Sequence, residues 1–142
     1  MDRLGRVDGP ANVVSELRKA APNRHVAQWH ESQRHAEAYL STLVVGEIRQ
    51  GIERVRPRDP RQADNLERWL SGLLSGYGNK ILPVTMEVAQ EWGRLNALPQ
   101  PPPVVDGLLA ATARVHRLTL VTRNVDDIAG TGVALLNPFA PA

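Results

Sequence analysis

The sequence predicts a three-layer α/β/α fold built on a central parallel sheet. Three observations carry that reading. Short apolar runs at Ala38–Ser41, Lys80–Val84, Leu118–Thr122 and Val133–Leu136 are separated by segments with helical spacing, and strands alternating with helices imply βαβ crossovers and a sheet covered on both faces. The stretch Val104–Ala113 is apolar on nearly every side, as a helix in a buried layer must be. The chain has 142 residues, 42% of them hydrophobic, which suits one compact domain with a core of its own.

The elements follow in order. Asn12 is placed to cap a short helix through Arg18, with Val13, Val14 and Leu17 at helical spacing. Val26, Ala27 and Trp29 suggest a second short helix. After the Ala38–Ser41 strand, Val44, Ile48, Ile52 and Val55 form a helical stripe that ends before Pro57. Asp59-Pro60 combines a capping side chain with proline at the first helical position, and that helix runs to about Gly76 on Leu66, Trp69, Leu70 and Leu73. Thr85 is a cap for a helix on Val88, Trp92 and Leu95, with Glu87 in its first turn. Pro99-Gln100-Pro101-Pro102-Pro103 is a stiff loop, too short to separate domains. Asn137-Pro138 stops the last strand.

Composition removes several function classes. There is no cysteine, so a disulfide scaffold, a zinc ribbon and a thiol nucleophile are excluded. No apolar stretch is long enough to span a bilayer, and the N-terminus lacks the apolar region of a secretory signal. The expectation is a soluble cytoplasmic protein. The net charge is only +2, yet all of the 17 basic residues except Lys19 and Lys80 are arginine. Arginine's planar fork suits phosphate, but arginine also serves as ordinary solvated surface.

In a parallel sheet, sites form beyond the carboxyl ends of the strands, and acids cluster there. Asp106 stands at the head of an apolar helix with Gly107, Ala110 and Ala113 beside it; it reads either as a helix cap or as a functional acid. Glu47 lies between Gly46 and Gly51 on the Thr42–Val55 helix, where two glycines in a helix point to close approach by backbone, ligand or metal, against the plainer reading of a surface glutamate. Asp126 and Asp127 follow the Leu118–Thr122 strand, as loop residues or as site residues. His25, His30, His35 and His116 are scattered. Oxygen ligands from separate elements, without cysteine or paired histidine, match a hard cation such as Mg²⁺ or Mn²⁺, and such an ion activates water against a phosphodiester.

Four pieces in order carry a resemblance: Asn12–Arg18, Leu40–Ile52 with Gly46-Glu47-Ile48-Arg49 inside it, Asp106–Ala113, and Leu120-Val121-Thr122-Arg123-Asn124, closed by Leu136-Asn137-Pro138-Phe139. Together they resemble the VapC-type toxins of the PIN-domain ribonuclease family. The resemblance implies a PIN-like α/β/α domain over residues 12–142. It also implies a Mg²⁺- or Mn²⁺-dependent endoribonuclease that cleaves RNA, a VapB-type antitoxin across its active groove, and a homodimer. Glu47 matches the acid of the Gly-Glu-Ile-Arg motif, and Asp106 matches the acid heading the Ala-Ala-Thr-Ala helix. Asn124 or Asp127 matches the fourth acidic position, and Arg123 is a candidate RNA phosphate contact.

The first position departs from the family pattern. Relatives open with an apolar strand ending in Asp-Thr-Asn, whose Asp is a principal metal ligand; here alignment puts Pro10 there. Residues 1–11 therefore read as an atypical N-terminal segment. Asp8 takes the ligand's place if Gly9-Pro10-Ala11 bulges; the favoured alternative is that strand and ligand are both lost, since Arg3–Asp8 offers only Leu4 and Val7 as apolar residues. The second functional reading is accordingly a catalytically impaired PIN fold that serves as an antitoxin-binding or dimerisation module.

Overall fold

In the computed structural model the described residues are 5–9, 11–19, 21–32 and 37–141. They form a five-stranded sheet in the order β3-β2-β1-β4-β5, with every pair parallel. The strands are β1 (Gly5–Asp8), β2 (Glu37–Ser41), β3 (Ile81–Leu82), β4 (Thr119–Val121) and β5 (Leu135–Leu136). The helices are α1 (Ala11–Arg18), α2 (Arg24–Ser32), α3 (Thr42–Val55), α4 (Pro60–Tyr77), α5 (Met86–Asn96), α6 (Val104–His116) and α7 (Val125–Ile128). The predicted three-layer α/β class is the observed one.

The main departure is at the N-terminus. The segment expected to lack a strand supplies β1, and β1 is the centre of the sheet, paired with β2 through Gly5↔Glu37 to Asp8↔Leu40 and with β4 through Arg6↔Thr119 to Asp8↔Val121. A central parallel strand is usually apolar on both faces. This one is apolar on one face only: Val7 is fully buried in the core, while Arg6 and Asp8 are also buried and pair with each other. The ion pair replaces the second apolar face, so hydropathy alone did not reveal the strand. Gly9 follows at a tight junction, where a Cβ would stand 2.8 Å from Val44 Cγ2. Pro10 and residues 1–4 lie outside the described residues.

Right-handed crossovers place α1 to α4 on one face of the sheet and α5 to α7 on the other. The packing agrees, with α3 against α1 and α4, and α6 against α5 and α7. The core joins both layers through Val44, Ile48 and Ile52 of α3, Leu70 of α4, Val88 and Leu95 of α5, and Leu109 to Ala111 with Ala113 of α6. The predicted caps at Asp59 and Thr85 are present, accepting from Gln62 N at 3.1 Å and Val88 N at 3.2 Å. The Asn12 cap is not: α1 begins at Ala11, which puts Asn12 inside the helix. Among the described residues no helix is long and apolar enough to cross a membrane.

Candidate active site at the carboxyl edge of the sheet

The parallel sheet brings the carboxyl ends of β1, β2 and β4 to one edge. Asp8 is the last residue of β1, Ser41 the last of β2, and Thr122 follows β4. Ser41 caps α3 by accepting from Leu43 N at 3.1 Å, so α3 starts at that edge and carries Glu47, half-buried, in its second turn. No other part of the protein approaches Gly46 or Gly51 closely: among the described residues nothing outside their own helix backbone and chain neighbours lies within 4 Å of a Cβ built on either.

Asp106 is the third residue of α6, whose N-cap is Pro103. The helix begins earlier than a cap at Asp106 would require, because Val104 and Val105 already have helical geometry. The capping alternative therefore falls away. The carboxyl sits near the positive end of the helix and is 7% exposed. Burial pushes its pKa above the ordinary aspartate range, the Asn124 amide works against that shift, and the nearby Asp127 charge adds to it.

Asn124 reaches Asp106 with its Nδ2 3.5 Å from Oδ2, a long contact. Its place is fixed by the turn after β4, where the fully buried Thr122 accepts from Asn124 N at 3.0 Å through Oγ1. Asp126 and Asp127 belong to the first turn of α7 and are exposed; they border a cleft of about 430 Å³ whose other wall is the proline loop from Leu98 to Pro103. Gly107 lets the Trp92 ring lie against the head of α6, with a Cβ there meeting Trp92 Cδ1 at 3.2 Å. Arg123 is exposed and stacks 4.2 Å above the Phe139 ring.

Asp8 has different surroundings. Arg6 Nε donates to its Oδ1 at 2.8 Å and Arg6 Nη2 to Oδ2 at 3.5 Å. The Tyr77 hydroxyl, from the end of α4, donates to Oδ2 at 2.5 Å. Burial, with the Asp8 charge and hydrogen bond beside it, holds the Tyr77 phenol above its ordinary pKa, so it stays a donor. The pair faces a cavity of about 490 Å³ that includes Arg18, Trp29, Trp69 and Lys80, with Arg6 4.8 Å over the Trp29 ring. Arg6 and Tyr77 were not among the residues the sequence singled out. The Arg-x-Asp alternation was the available signal, since strand geometry puts both side chains on one face.

Of the four predicted acids, the structure thus places Asp106 and Asp127 in one neighbourhood, Glu47 on α3 and Asp8 against Arg6 and Tyr77. Among the described residues no three His, Cys, Asp or Glu side chains stand together as a metal-holding group.

A family model described as "PIN domain" matches residues 11–131. The chain belongs to the PIN-domain family. The match to the PIN-domain model begins just past β1, at the end of the segment whose sequence departs from the expected pattern. This PIN-domain protein is 31% identical over 135 residues to VapC ribonuclease Y4jK of Sinorhizobium fredii, covering 92% of this chain and 96% of that protein. It is 30% identical over 132 residues to toxin FitB of Neisseria gonorrhoeae, covering 90% and 94%. Its fold superposes on the crystal structure of FitAcB from Neisseria gonorrhoeae with a TM-score of 0.87 at 28% identity, over 96% of this chain and 99% of that one.

Proposed function

We propose that this PIN-domain protein is the toxin of a type II toxin-antitoxin pair, a Mg²⁺- or Mn²⁺-dependent endoribonuclease that hydrolyses RNA phosphodiesters in the cytoplasm. A VapB-type antitoxin holds it inactive, and it works as a homodimer. The observation that carries the reading is Asp106, a buried acid at the head of α6 beside Asn124 and Asp127. An acid kept in that position against the cost of burial points to chemistry, and the similarity to a VapC ribonuclease and to toxin FitB supplies its class.

The donor chemistry at Asp106 suits a hard divalent ion through carboxylate oxygens, its own and those of the nearby Asp127, while the Asn124 amide meets Asp106 through its N–H. Asp106 would hold it, with Glu47 and Asp127 as further acids of the same edge. The ion, when bound, supplies charge neutralisation at the phosphodiester and a more acidic water. Asn124 orients the Asp106 carboxylate through its amide. Asp127 raises the negative potential of the cleft, and the exposed Arg123 offers a fork of donors to an RNA phosphate.

The second reading, a PIN fold that binds its antitoxin without cutting RNA, draws support from Asp8 being engaged by Arg6. One experiment separates them. Purified protein and its Asp106→Asn variant are incubated with RNA and Mn²⁺. Cleavage by the parent and a loss of at least about a hundredfold in the variant are expected of the enzyme, a general acid-base or metal-site role being worth that much. Equal, negligible cleavage by both leaves the binding module.

A further inference from the structure

We infer that Asp8 is the anchor of the central strand and not a ligand of the divalent ion, with Arg6 as its built-in counter-charge. The inference rests on the proposed metal dependence for its second half only. Its first half rests on packing.

Position alone would make Asp8 a ligand, since it ends the central strand at the edge where the other acids gather. Three features argue against that role. Both of its oxygens are already hydrogen-bonded, Oδ1 by Arg6 Nε, and Oδ2 by Arg6 Nη2 and the Tyr77 hydroxyl. Arg6 and Asp8 are 8% and 4% exposed, so drawing the carboxylate toward an ion would leave a buried guanidinium without this partner, a strongly unfavourable change. The partners also differ: Asn124 and the Asp127 charge act on Asp106, whereas Arg6 and Tyr77 are bonded to Asp8.

The pleat accounts for the difference in partners. Arg6 and Asp8 share the face that looks toward α1 and α4, with Val13, Val14, Trp69 and Tyr77 around the same cavity. Asp106 is on α6, in the opposite helical layer. What Asp8 does hold is Tyr77, 69 residues away, and through it the end of α4 on β1. This tie lets a charged four-residue strand serve as the middle of the sheet.

The test measures two quantities for wild type, Asp8→Asn, Tyr77→Phe and Asp106→Asn. They are the thermal midpoint of the metal-free protein and the Mn²⁺ dissociation constant, read from the electron paramagnetic resonance of free Mn²⁺. Expected are midpoints lowered by several degrees in Asp8→Asn and Tyr77→Phe, with Mn²⁺ affinity within twofold of wild type. Asp106→Asn is expected to melt no lower than wild type and to lose at least tenfold in Mn²⁺ affinity. A tenfold loss of Mn²⁺ affinity in Asp8→Asn overturns the inference, whatever its midpoint. If Asp8→Asn does not fold, Tyr77→Phe decides: a lowered midpoint with unchanged Mn²⁺ binding supports the anchor, and an unchanged midpoint or weakened binding overturns it. If wild type binds no Mn²⁺, the metal reading of the previous section fails by itself, and the midpoints of the two anchor variants still decide whether Asp8 holds the strand.

Discussion

Asp8 and Asp106 are both almost fully buried acids near one edge of one sheet, at 4% and 7% exposure. The protein treats them in opposite ways. Asp8 is surrounded by donors, a guanidinium from its own strand and a phenol from α4. Asp106 has one long amide contact and a second carboxylate near it, so burial dominates and its charged form is disfavoured. A buried charge must be paired or lie at a site that tolerates the cost. The first acid spends its charge inside the fold; the second keeps it available. Burial and edge position, which the two share, do not identify a site residue. The surrounding donors are what set the two acids apart.

The largest expected effect breaks the Asp8 side. Arg6→Met leaves Asp8 buried beside an apolar chain, and removing one partner of a buried pair costs about 3–5 kcal/mol. Urea denaturation should show that loss, and Arg6→Met combined with Asp8→Leu should recover most of it, since an apolar pair of similar volume is often neutral. A double variant as unstable as the single one would mean that Asp8 is not the group Arg6 serves. Tyr77→Phe is expected to cost less, about 1.5–3 kcal/mol for one hydrogen bond to a charged group. The same denaturation curves test it; a cost near zero would mean that α4 is held on β1 by packing alone.

The same contrast explains which parts of the molecule were legible in advance. α6 and β4 announce themselves because their partners are apolar and any apolar neighbour will do: Leu109 to Ala111, Ala113 and Leu120 are buried wherever the core lies. The caps at Asp59 and Thr85 are equally readable, since each bonds a backbone N–H only three residues on. β1 is not readable that way. Its second face is satisfied by the Arg6–Asp8 ion pair and by one bond to Tyr77, far along the chain, and no local pattern encodes the bond to Tyr77. In the candidate site, the apolar helix behind Asp106 and the strand before Asp127 were enough to place both acids in the first turns of helices. The amide of Asn124 turning back to Asp106 needed the fold. The glycines beside Glu47 make no room for another part of the protein, and a helical glycine facing open space looks the same in sequence as one packed against a neighbour.

The smallest effect is on the Asp106 side and has a sign that separates it from the other acid. Burial raises the Asp106 pKa in the folded protein, so its protonated form is the one that folding favours. Its contribution to stability is therefore fully present below the unfolded value of about 3.9 and is lost as pH rises through the higher folded value. Asp106→Asn removes that dependence while keeping the amide-sized side chain. In EDTA at neutral pH the variant should melt slightly above wild type, and the gap should close as pH falls toward the ordinary aspartate range. A variant that melts below wild type at neutral pH would show that the Asp106 charge is held by favourable partners, as that of Asp8 is, and would erase the distinction between the two acids.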